Sequence, residues 1–83
     1  MKGIVAETNP GRGMVAVKTE DAYSIFEVLG DDVPEVGTEV VWASVNPLGD
    51  EEILLGPERR SMSVYFQNHH VHQSQLRSQL LFD

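Results

Sequence analysis

Along this chain, short apolar runs alternate with polar positions, and turn-forming residues interrupt them every eight to twelve positions. Residues 2–7 place Ile4 and Ala6 on one face of an extended segment and Val5 on the other. The following Thr8-Asn9-Pro10-Gly11-Arg12-Gly13 is strong turn chemistry, so this first strand folds back onto residues 14–18. Thr19-Glu20-Asp21-Ala22 turns the chain again, into residues 23–29. There Tyr23, Ile25, Glu27 and Leu29 share one face, and Ser24, Phe26 and Val28 share the other. Apolar count alone would allow a helix there, but β-branched and aromatic residues between close turns predict a strand.

A polar connector with Pro34 leads through Gly37 into residues 36–45, which hold the only tryptophan, Trp42, and the densest β-branched run. That stretch predicts a central strand covered on both faces. Asn46-Pro47-Leu48-Gly49-Asp50 predicts another reversal, and residues 51–55 a fifth strand. No connection is long enough for a crossover helix, so the strands are expected to be antiparallel.

The pattern breaks at Gly56-Pro57-Glu58-Arg59-Arg60. Residues 61–66 read as a sixth strand or an extended arm. Residues 73–82 suit a helix, with Ser74 as N-cap and Leu76, Leu80 and Leu81 as its stripe. Such a helix is too short to stand alone. It is expected to dock on the barrel or on a second chain through Leu76, Leu80, Leu81 and Phe82. The predicted fold is all-β: a small five- to six-stranded antiparallel barrel over residues 1–56. A C-terminal extension follows over residues 57–83, a strand or arm plus a short helix.

Length changes that picture by making the surface hard to bury: 83 residues form one domain with a poor surface-to-volume ratio. Pairing two copies relieves this, and Val64, Phe66, Leu76, Leu80, Leu81 and Phe82 are the expected interface. At 41% hydrophobic and 23% charged residues the chain belongs with folded domains. The absence of cysteine excludes disulfides and thiolate zinc sites. Apolar runs are too short for a bilayer span, and Glu7 interrupts any signal-peptide core, so a cytoplasmic protein with no membrane partner is expected. A net charge of -7 opposes nonspecific binding to nucleic acid.

Candidate chemistry is sparse. His69-His70-Val71-His72 is the one cluster with ligand potential, since His70 and His72 on an extended segment point the same way and could share a metal ion. A solvent-exposed linker or a packing role at a helix start is the competing explanation. The pairs Glu20-Asp21, Asp31-Asp32 and Glu51-Glu52 fall in predicted turns or at their edges, where polar residues are ordinary. No serine or threonine sits in a nucleophile elbow. Gly11-Arg12-Gly13 precedes a strand rather than the helix a phosphate loop requires. No enzymatic activity and no cofactor are expected.

Met1-Lys2-Gly3-Ile4-Val5, Asn9, Gly11-Arg12-Gly13, Thr19-Glu20-Asp21, Phe26 and Val36-Gly37-Thr38-Glu39-Val40 follow one another as landmarks do in cold-shock and related oligonucleotide-binding (OB) barrels. The chain resembles that group over residues 1–55. It departs at Met14-Val15-Ala16-Val17, where the family carries exposed base-stacking aromatics, and Phe26 lacks a Val-His partner. The resemblance implies an OB-like barrel, although an SH3-like barrel has the same turn rhythm. The functional expectation is a non-catalytic binding module acting through protein association, with self-association as its first form. The alternative is single-stranded nucleic-acid binding through Lys2, Arg12, Lys18 and Phe26.

Overall fold

The computed structural model describes residues 1–30 and 32–82. The described residues form six strands: β1 (Lys2–Asn9), β2 (Met14–Lys18), β3 (Tyr23–Val28), β4 (Glu39–Val41), β5 (Gly49–Leu55) and β6 (Arg60–Val71). They close into a barrel in the order β1-β2-β3-β6-β5-β4, every neighbouring pair antiparallel. A 3-10 turn, Gln73–Gln75, runs into the short helix α1, Leu76–Gln79. Among the described residues, no helix is long and apolar enough to cross a membrane.

The β1–β2 turn behaves as its composition predicts. Arg12 N–H donates to the Asn9 carbonyl at 3.0 Å, and Gly13 sits at a φ of 68°, a region open to glycine at little cost. Gly11-Arg12-Gly13 is hairpin geometry. Gly3 serves another purpose, because a Cβ there would lie 2.5 Å from both the Lys18 carbonyl oxygen and Val17 Cγ1. Its missing side chain lets β1 lie close against β2.

Two elements differ from the sequence reading. The barrel does not end at residue 56: β6 is the longest strand, twelve residues, and closes the sheet between β3 and β5. Only the segment after Val71 is an appendage. The tryptophan stretch contributes just three residues of strand, Glu39–Val41. Trp42 then turns into the core beside Phe66, and the chain leaves the sheet.

Alternation along the strands creates two apolar clusters. Val5, Val15, Val17, Phe26, Val40, Trp42, Ile53, Val64 and Phe66 fill the barrel interior with their neighbours. A second cluster lies outside the barrel wall, where Leu76 and Leu80 of the tail pack on Met14, Ala16, Ile25 and Val71. Strand β2 is therefore covered on both faces, which is why its sequence is a continuous apolar run rather than an alternating one. The tail is pinned by the Asn9 side-chain amide, which donates to the Leu80 carbonyl at 2.8 Å and satisfies an acceptor left open at the helix end. Ser74 caps nothing; the residue ahead of the 3-10 turn is His72, whose side chain makes no cap bond.

Candidate binding surface

The predicted interface is largely consumed within the chain. Val64 and Phe66 point into the barrel, and Leu76 and Leu80 are buried beneath the tail against the chain's own β2 and β3. Of the six side chains only Leu81, 48% exposed, stands clear of both clusters. Phe82 is half-buried at the outer cluster, with the Arg77 guanidinium 4.9 Å from its ring centroid. The apolar tail meets its own barrel because that barrel presents a matching aliphatic face.

Nor does Phe26 stack on an outside ligand. It is fully buried, edge-on to Phe66 with ring centroids 5.4 Å apart. Its parity in β3 puts it inside, opposite to Ile25 and Glu27. Lys2 and Lys18 do come together, lining one groove, whereas Arg12 sits on the hairpin beyond the far end of β1.

That groove, about 620 Å³, runs along one end of the barrel between the start of β1, the β2–β3 turn and the loop after Trp42. Gly3 and Val5 are buried, so Lys2 and Ile4 face outward. Ile4 is directly opposite Lys18 on β2 and Glu39 on β4. Directly paired residues project on the same side of a sheet. The outer row thus reads Glu39, Ile4, Lys18, then Tyr23 opposite Lys18. Ile4 is 45% exposed at its centre, and Met1 adds exposed apolar surface to the same groove. Lys18 Nζ lies 5.4 Å from the Tyr23 ring centroid.

Two bulges interrupt β6, one at Gln67 and one that holds His69 and His70. Between Tyr23 and Phe26 the partner strand carries extra residues, since Tyr23 pairs with Val71, Ile25 with Asn68, and Phe26 with Phe66. One bulge gives His70 a φ of 56° and sends its ring to Asn46, Nε2 to Nδ2 at 3.2 Å. His69 turns the other way, stacks on Phe66 with centroids 5.1 Å apart, and bridges Ser24 and Pro47. A carbonyl can only accept, so Nε2 of His69 carries the proton donated to Pro47, while Nδ1 pairs with the Ser24 hydroxyl at 2.8 Å. This strut ties the loop after Trp42 to β3. His72 stands exposed ahead of the 3-10 turn. Among the described residues, no group of three histidine, aspartate or glutamate side chains is placed to hold a metal ion.

A second open face crosses β3, β6 and β5. Tyr65, 43% exposed, lies between Glu27 and Asp50, both directly opposite it. Glu52, two residues beyond Asp50, accepts from the Ser61 and Ser63 hydroxyls. Those bonds, Ser61 first, hold its carboxyl below the usual carboxylate range. Glu51 is half-buried, so the Glu51-Glu52 pair splits across the sheet as adjacent strand residues must. Glu20 and Asp21 line the groove from the β2–β3 turn, and Asp31 of the third pair lies outside the described residues.

No family model, curated protein or solved structure matches this chain. The residues that sequence reading passed over are Ser24, Asn46 and Pro47, which organise the histidines, and Glu39, which completes the groove row. Only Glu39 had a usable signal, an acidic residue on the outward parity of a strand.

Proposed function

We propose that the chain is a non-catalytic binding module of the cytoplasm that works through protein association and pairs with a second copy of itself. The observation that carries this reading is the apolar end left open after the tail has covered β2 and β3: Ile4 with Met1, framed by charges of both signs. Exposed apolar surface rimmed by polar groups is the ordinary mark of a protein contact. The outer face of β2, where the resemblance to oligonucleotide-binding barrels would put a stacking platform, is aliphatic and already occupied by Leu76 and Leu80. That too favours protein over nucleic acid. Size-exclusion chromatography with light scattering on the full chain tests the reading. A mass approaching twice that of the chain as concentration rises supports it, and a monomer throughout removes it.

The convergence of Lys2 and Lys18 on one groove favours single-stranded nucleic acid as the second reading. Its signature is binding that weakens steeply with salt. Fluorescence anisotropy of short DNA and RNA oligomers at low salt discriminates, and no change in anisotropy removes this alternative.

A further inference from the structure

Three outer faces compete as the meeting surface, and charge separates them. The face over β2 and β3 is filled by the chain's own tail. The Tyr65 face is acidic, with Glu27, Asp50 and Glu52 around the ring, so two copies would repel there. The face around Ile4 is different: Glu39 and Lys18 flank the exposed isoleucine on opposite sides, about 10 Å apart at two strand spacings. An apolar centre with opposite charges to left and right is self-complementary under a twofold rotation.

We infer that two copies pair face to face over the outer surface of β1, on a twofold axis along that strand, with Lys18 of each copy opposite Glu39 of the other. This rests on the self-association reading and names its surface. The direction of the axis follows from the charges. A twofold along β1 carries the β4 side of one copy over the β2 side of the other and brings unlike charges together. An axis across the strands would set Glu39 on Glu39 and Lys18 on Lys18. Ile4 meets its counterpart at the centre, and the exposed Met1 at the rim supplies a side chain to fill the partner's groove. With seven net negative charges on each copy, this mixed face is where close approach is least opposed.

Charge-swapped variants test the inference, read by sedimentation or light scattering over a dilution series. In Lys18→Glu or Glu39→Lys, both symmetric contacts become like-charged, and each variant is expected to weaken self-association by about tenfold or more. The double variant K18E/E39K regains wild-type association, and an equimolar mixture of the two single variants forms a heterodimer that neither forms alone. Both positions are exposed, so the variants are expected to fold, which circular dichroism checks. Ile4→Thr keeps the charges and the strand preference and must also weaken pairing. A wild-type dimer unmoved by the single swaps overturns this surface but leaves self-association standing. A wild-type monomer at every concentration overturns both.

Discussion

Replacing Leu80 by alanine probes the contact between tail and barrel most sharply. The side chain is fully buried among Met14, Ala16, Ile25, Val71 and Leu76, outside the barrel wall. Truncation removes three carbon atoms, which at about 0.8 kcal/mol per buried methylene is roughly 2.4 kcal/mol of transfer free energy. A cavity term adds to this, although a four-residue helix can settle partway into the gap. The expected cost is therefore about 2.5–3.5 kcal/mol, a fall in Tm on the order of 10–25 °C for a domain of this size. Urea unfolding followed by Trp42 fluorescence, at fixed low protein concentration, measures it, because Trp42 lies in the inner core and reports on the whole barrel. Leu81→Ala, at an exposed position, is the control and should cost under about 0.5 kcal/mol. If Leu80→Ala costs no more than the control, the tail does not dock as described.

Further outcomes follow from single positions. Leu81 sits at a φ of 64° just past the helix, where the Phe82 N–H returns to the Arg77 carbonyl at 2.9 Å; Leu81→Gly should stabilise the fold by about 1 kcal/mol in urea titration and leave self-association unchanged. Gly3→Ala forces a methyl against the Lys18 carbonyl, and the cost should be about 3 kcal/mol or enough to prevent folding, seen as loss of the far-ultraviolet strand signal. The depressed pKa of Glu52 makes its contribution to stability fully present above the ordinary carboxylate range, and that contribution is lost as pH falls through the folded-state value. In Ser61→Ala/Ser63→Ala, an NMR titration of the Glu52 carboxyl should return upward toward that ordinary range. A chain ending at residue 57 lacks β6 and should not fold, whereas one ending at His72 keeps the barrel and exposes Met14, Ala16 and Ile25 to a hydrophobic dye.

Much of the barrel was legible because its first three strands are short β-branched or aromatic runs cut by unambiguous turns. Strand β6 was harder to read. Its first half alternates, with Met62, Val64 and Phe66 inward and Ser61, Ser63 and Tyr65 outward. The two bulges opposite Ser24 and between Ile25 and Phe26 then break the period, setting Asn68 opposite the outward Ile25 and Val71 opposite Tyr23, beneath the tail. A linear scan sees that as loss of pattern. The tryptophan stretch misled in the opposite direction: its β-branched residues are apolar enough for a long strand, yet the strand paired with β1 and β5 is only Glu39–Val41. The tail helix was visible as a stripe of leucines, but a stripe does not say which surface it meets. The answer lay in β2, whose Met14 and Ala16 are apolar on what would otherwise be a solvent-facing parity. The groove row was hidden, since Ile4, Lys18 and Glu39 meet only once register is known.

The most direct test is an isotope-filtered NOE experiment on a mixture of labelled and unlabelled chains, which separates contacts within a chain from contacts between chains. Methyl cross-peaks from Leu76 and Leu80 to Ile25 and Val71 should appear only within one chain, and Ile4 should give the cross-peaks between chains. Cross-peaks between chains from Leu80 to Ile25 would mean that the tail is exchanged rather than docked at home, and would contradict the account.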